Sequence, residues 1–276
     1  MTIRHLLLIL VVITTFHACK NVINEPEINA LEGLTKLKEG YAYGSSAKVE
    51  LWGKKNFFVG YNPLTVVVYD SLKPLQKITD AHIHFTPVIT NGTGVLALEQ
   101  ASPVENPDET PVNGVFPGAI SFIKASGIND SWKLGVSVHN HKYDKEGEII
   151  FDITVDDITP SLINTFASIT ADNSKFVLSM VKPTNPKEGL NDIEFLLNKN
   201  ANSLEWTTDD TYTVEINPEM LDMWYGSHIS INTKNIGNGH YTSSFDFPMV
   251  GEWKVNVIVK KNGVPVSENL YFTLKI

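Results

Sequence analysis

Cysteine is all but missing from this chain: its 276 residues include one, Cys19. A single thiol excludes a disulfide within the chain and any metal site built from several thiolates. Long apolar runs are scarce as well. Leu6 to Ile13 is unbroken, but it falls short of the roughly 18–20 residues a membrane-spanning helix needs, and no later segment is long and apolar enough to span. Basic residues are the minority, 22 against 31 acidic, and the resulting net charge of −9 argues against nucleic acid as a partner. The sequence also lacks a Gly-x-Ser-x-Gly elbow, a phosphate-binding glycine loop and a His-Glu-x-x-His segment. These absences leave little support for catalysis, and the expectation is a non-enzymatic protein.

What is present begins with an export signal. Arg4 and His5 supply a short polar start, and Leu6 to Ile13 has the length of a signal-peptide core. Phe16-His17-Ala18-Cys19 then has the form of a lipobox, with a small residue before a cysteine that would carry lipid and become the new N-terminus. Residues 1–18 are thus expected to be a signal peptide. Residues 19–40 are expected to be the lipidated Cys19 and a polar tether. Lys20, in place of an aspartate, favours the outer membrane. The expected partners are the membrane, through the lipid, and a protein of the cell envelope.

The mature chain reads as strands. Lys48 to Trp52, Leu64 to Tyr69, Ala81 to Phe85, Ala119 to Ile123, Trp132 to Val138 and Ile149 to Val155 are short, alternating and bounded by turn residues. An internal repeat organises them. Trp132 to Val138 (WKLGVSV) matches Trp253 to Val259 (WKVNVIV), and Phe151 to Val155 matches Phe272 to Ile276 at the same spacing. Upstream, Phe122 pairs with Phe247, Gly114 with Gly239, Pro87 with Pro218 and Leu64 with Leu190. The fold expected is all-β, two tandem immunoglobulin-like β-sandwiches, with the first at 41–157, a linker at 158–173 and the second at 174–276. Trp132 and Trp253 are expected to pack in the cores rather than stack on sugars.

Gly237 to Tyr241, Phe245 to Met249 and Gly251 to Val259 resemble a YtkA-like domain, a family related to FixH and to copper-resistance C-type sandwiches. Asn113 to Phe116 with Trp132 resembles it more loosely. The resemblance implies a tandem lipoprotein of bacteroidete type and a role near copper. The family's Met-Pro-x-Met segment is altered here to Met220, Met223 and His228, without the proline.

Two sets of side chains are candidates for metal. His82 and His84 alternate with Ala81, Ile83 and Phe85, so they share the outer face of one strand; His139 and His141 follow Val138 on another. If these strands neighbour each other antiparallel, all four imidazoles gather on one surface, where they suit zinc or copper. Asp80 would add a ligand or orient a ring. The second set is Met220, Met223, His228 and His240, with Met249 close by; thioether with imidazole favours Cu(I). The alternative function is a structural or adhesive module that binds protein or glycan through its loops or sheet edges. The loop from Ile89 to Asn113 is long enough to serve that end.

Overall fold

The computed structural model describes residues 29–73, 76–92, 97–170, 174–220 and 230–276. Cys19, Met223 and His228 lie outside these residues. Within them the chain is all-β and every strand pairing is antiparallel. The alternation read from the sequence is what builds the strands: in Ala81 to Phe85 the apolar residues are buried and the histidines between them are not. In Trp132 to Val138, Trp132, Leu134, Val136 and Val138 are all 1% exposed or less.

The first sandwich is formed by β1 (Thr35–Ala42), β2 (Ala47–Gly53), β3 (Gly60–Asp70), β4 (Ala81–Asn91), β5 (Leu98–Ala101), β6 (Val104–Glu105), β7 (Phe116–Phe122), β8 (Asp130–Asn140) and β9 (Lys145–Ile153). One sheet has the order β1-β2-β3-β7-β6 and the facing sheet β5-β4-β8-β9. The second sandwich is formed by β10 (Ile163–Ala167), β11 (Lys175–Lys182), β12 (Gly189–Asn202), β13 (Glu205–Thr207), β14 (Tyr212–Met220), β15 (Ile231–Asn232), β16 (Lys234–Gly237), β17 (His240–Phe247), β18 (Glu252–Lys261), β19 (Val264–Pro265) and β20 (Leu270–Lys275). Its sheets run β10-β11-β12-β17-β16, with β13 on β12, and β15-β14-β18-β19, with β20 on β18. Each sandwich encloses its own apolar cluster, and Ile163 and Val177 extend the first cluster across the seam.

Strand register shows how closely the two copies agree. Trp132 faces Ile153 and Leu134 faces Phe151; Trp253 faces Leu274 and Val255 faces Phe272. Each tryptophan meets a phenylalanine edge-on, Phe122–Trp132 and Phe247–Trp253, both at 5.1 Å between ring centroids. Each indole donates to a carbonyl, that of Lys124 at 2.9 Å and that of Met249 at 3.2 Å. Pro87 sits opposite Leu134 and Pro218 opposite Val255, so that pair is equivalent too.

One pairing from the sequence is corrected. Gly60 faces Phe122 and Gly189 faces Phe247, so the residue equivalent to Leu64 is Ile193, not Leu190. Leu64 and Ile193 are buried, whereas Leu190 is exposed. The turns before the two strands, residues 54–59 and 183–188, are equal in length, so the likeness of one leucine to another misled the alignment. The corrected register exposes a feature that sequence similarity did not flag. Asn62 Nδ2 donates to the carbonyls of Phe58 and Gly60, and its Oδ1 accepts from the Phe58 N–H. Asn191 makes the same three bonds with Lys187 and Gly189. Gly60 and Gly189 lie at φ of +123° and +89°, values open mainly to glycine, so both strands start from the same clamped turn.

Two segments differ from expectation. The tether assigned to 19–40 runs into β1, which begins at Thr35. The linker at 158–173 contributes β10, which pairs with β11 from Ile163↔Ser179 to Ala167↔Lys175. A short alternating run beside proline gives too little pattern to separate an edge strand from a connection.

Candidate metal centre

β4 and β8 are antiparallel neighbours with His82 directly opposite His139. Since Ile83 and Val138 are fixed in the core, their outward neighbours His82 and His139 must stand side by side on the open face. His141 follows β8 in the turn toward β9, and that turn returns it to the same spot. One nitrogen from each of His82, His139 and His141 lies within 4.8 Å of the others. Ring centroids are 4.8 Å apart for His82–His141 and 4.9 Å for His139–His141. The three side chains are 44%, 38% and 25% exposed in chain order, so an ion can reach them from solvent.

Each imidazole is backed by its own carboxylate. Asp80 Oδ1 is 2.6 Å from His141 Nδ1, Asp144 Oδ1 is 3.1 Å from His139 Nε2, and Glu109 Oε1 contacts His82 Nε2. A carboxylate only accepts, so the nitrogen that faces it carries the proton. That fixes the tautomer of each neutral ring and leaves His82 Nδ1, His139 Nδ1 and His141 Nε2 with bare lone pairs. His82 Nδ1 and His141 Nε2 are 3.3 Å apart. Either a ring proton shared between them or a cation seated against both satisfies that spacing. Two ligands of a tetrahedral ion with bonds of about 2.0–2.1 Å are themselves about 3.3 Å apart.

The turn from Asn140 to Lys145 is held from below. Asn140 is fully buried and donates to the Ser45 carbonyl at 3.0 Å. Asp70, whose side chain is fully enclosed, accepts from Lys142 Nζ at 2.8 Å, the Tyr143 hydroxyl at 2.7 Å and the Leu72 N–H at 2.8 Å. The Lys142 ammonium holds the Asp70 carboxyl well below the usual carboxylate range. Asp144 takes up a φ of +49°, a left-handed turn conformation that aspartate tolerates.

His84 stands apart from the three. It is the next outward residue on β4, opposite Ser137, and its Nδ1 faces Asn106 Nδ2 at 3.3 Å. Of the second set, Met220 and His240 are not brought together. Met220 faces Trp253, which packs on Phe247 at one end of β17, whereas His240 begins β17. Seven residues of β17, roughly 23 Å, separate His240 from the Phe247 end, and Met220 is on β14 of the facing sheet. Met220 is 8% exposed and lies against Gly251, Met249 packs on the second core, and both ring nitrogens of His240 face carboxylates.

Sequence reasoning anticipated Asp80 but not Glu109, Asp144 or Asp70. Glu109 comes from the long loop after Ile89, whose final contact cannot be read from spacing. Asp144 was accessible as a turn residue three positions beyond His141.

No family model matches the chain, and no curated protein matches it. Among solved structures, a DUF4785 family protein from Legionella pneumophila is similar over 80% of this chain, at 9% identity and a TM-score of 0.27. This chain covers 56% of that chain. An overlap that slight carries no statement about fold or function.

Proposed function

We propose that this chain is a non-enzymatic lipoprotein of the cell envelope whose first sandwich binds a divalent transition metal through His82, His139 and His141. The observation that carries this reading is the convergence of three ring nitrogens whose opposite nitrogens are each hydrogen-bonded to a carboxylate. Such carboxylate–histidine pairs orient imidazoles for metals and raise their basicity. The set is all nitrogen, without thioether, and therefore suits Zn(II) or Cu(II) better than Cu(I). Glu109, Asp80 and Asp144 add negative charge around the rings, which favours a dication.

The membrane half of the proposal rests on Leu6 to Ile13 and the lipobox at Cys19, which would place the sandwiches on the outer membrane with a short tether between. The proposed resemblance to YtkA-like domains rests on Gly237 to Tyr241, Phe245 to Met249 and Gly251 to Val259, with Asn113 to Phe116 and Trp132 as the looser match in the first copy.

Calorimetric titration of the chain with Zn(II), Cu(II) and Cu(I) tests the metal reading. One ion per chain is expected for the divalent metals, with binding abolished by combined His139→Ala and His141→Ala. No heat from either divalent ion sinks it and leaves the adhesive alternative.

A further inference from the structure

His240 lies on the seam between the sandwiches, with its side chain 13% exposed. Its ring nitrogens face carboxylates from opposite sides of that seam. Nε2 is 2.7 Å from Glu105 Oε1 on β6, and Nδ1 is 2.8 Å from Glu194 Oε1 on β12. Both carboxylates have a second partner. The Tyr61 hydroxyl on β3 donates to Glu105 Oε2 at 2.5 Å, and Lys182 Nζ on β11 is 2.7 Å from Glu194 Oε2. Asp192 on β12 also faces Lys182 electrostatically, and on β16 the residue paired with His240 is the uncharged Gly237.

Proton counting decides what this arrangement requires. A neutral imidazole has one N–H and one lone pair, and an ionised carboxylate has acceptors only. Two carboxylates on opposite ring nitrogens are therefore both satisfied only by imidazolium. With His240 charged, its positive charge and that of Lys182 balance Glu105 and Glu194. Loss of the proton leaves an excess negative charge and a lone pair pressed against a carboxylate oxygen. Tyr61, Lys182 and Glu105 are all shifted away from neutrality. Burial, with the adjacent Glu105, pushes the Tyr61 phenol up, and the Glu194 hydrogen bond pushes the Lys182 ammonium up. Burial opposes ionisation of Glu105, but hydrogen bonds from His240 and Tyr61 prevail and hold its carboxyl below the usual range.

We propose that His240, as imidazolium, is a pH-operated latch that holds the two sandwiches against each other and lets go as the proton is lost. The Glu105 hydrogen bond raises His240 above its ordinary value of 6.5 despite partial burial. A raised value means the stabilisation is complete below about pH 6.5 and is lost as pH climbs through the raised value. Other contacts across the seam are uncharged: the Ala101 N–H donates to the Ser203 carbonyl at 3.0 Å, the Trp206 indole donates to the Ala101 carbonyl at 2.8 Å, the Ser179 hydroxyl donates to Ser121 Oγ at 3.0 Å, and Ile163 and Val177 join the first core. The first two make the Ala101 amide a local reporter of the joint.

The experiment is NMR of the whole chain, with ring-nitrogen shifts of His240 and hydrogen exchange at Ala101 followed over the same pH series. Both ring nitrogens are expected to be protonated at pH 6.5, with the second proton leaving only above that value. Ala101 protection, corrected for the intrinsic pH dependence of exchange, is expected to fall at least about tenfold across the His240 titration. Amides of β8 and β18 are expected to keep theirs. In His240→Gln, whose amide still donates but cannot take up a proton, that pH dependence is expected to vanish while both cores stay folded. A ring already singly protonated below pH 6.5 overturns the latch. So does Ala101 protection that ignores the titration, or a Gln variant that keeps it.

Discussion

Trp132→Ala tests whether the repeated tryptophans hold their sandwiches together. Trp132 is 1% exposed, packs edge-on against Phe122 and donates to the Lys124 carbonyl. Truncating a buried aromatic to alanine costs ~3–5 kcal/mol. Leaving the Lys124 carbonyl without its donor adds about 1 kcal/mol. The sum rivals the whole stability of a typical domain, about 5–15 kcal/mol. The first sandwich should therefore lose about 4–6 kcal/mol, enough to unfold a domain at the low end of that range. Trp132→Phe keeps most of the apolar contact and loses the hydrogen bond, so a loss of about 1–2 kcal/mol is expected. The assay is denaturant unfolding read by hydrogen exchange, with amides of β8 reporting the first core and amides of β18 the second. Trp253→Ala should give the mirror result, since Trp253 has the same partners in the second copy. If Trp132→Ala lowers β8 stability by less than about 1 kcal/mol, the indole does not carry the packing assigned to it. If it exposes β18 as much as β8, the two cores are not separate units.

Asp70→Asn keeps the side-chain shape but removes the charge that anchors Lys142 and Tyr143, so the turn bearing His141 should loosen. Zinc affinity should fall roughly 10–100-fold, as when an outer-shell partner of a metal ligand is lost; unchanged affinity in calorimetry refutes the role. Because Asp70 titrates below its ordinary value in the fold, its stabilisation is present above about pH 3.9 and is lost as pH falls further, so the wild type should lose more stability in acid than Asp70→Asn does. Zinc at about a hundred times its dissociation constant should stabilise the first sandwich by about 2.7 kcal/mol, seen as a raised melting temperature that His139→Ala abolishes. Gly251→Ala would place a Cβ 2.2 Å from Met220 Cε at a φ of +148°. A destabilisation of about 1–3 kcal/mol in denaturant melts of the second sandwich is expected.

The parts legible in the sequence are those that alternation encodes. Ala81, Ile83 and Phe85 on one strand, and Trp132 to Val138 on the other, state which side is the core, and a period of two leaves no choice about the opposite side. The two tryptophan strands aligned without gaps, so that portion of the repeat was readable at its true register. Leu64 was matched to the wrong residue because one leucine was set against another, although the turns before β3 and β12, residues 54–59 and 183–188, are equal in length and fix the register at Gly60 and Gly189. What holds these strand starts is the bonding of Asn62 and Asn191 to their own turns, and asparagine near glycine is too common to stand out. The carboxylates behind the histidines were mostly invisible for a related reason. Glu109 and Asp144 reach their rings across loops, and loop geometry is set by tertiary contacts rather than by local pattern.

The second copy supplies the control for the first. Thr213 faces Lys260 in the same register in which His82 faces His139. There the outer face is used for an ordinary ion pair, Lys260 with Glu215, which also contacts Ser230. The scaffold thus places two side chains in contact at this position whatever they are, and nothing in the packing of either core calls for imidazole. A structural demand would have been met twice. Three imidazoles in one copy, each with a carboxylate on its far nitrogen, are therefore a property of the first sandwich and not of the fold. Grafting bears on this directly: Thr213→His, Lys260→His and Asn262→His in the second copy restore three imidazoles, two of them on the facing register, without Asp80, Glu109, Asp144 or the four-residue turn that carries His141, which is shortened there to Asn262 and Gly263. Zinc should bind such a graft at least about tenfold more weakly than it binds the native trio. Equal affinity would mean that the backbone register alone makes the site and that the carboxylates contribute nothing to it.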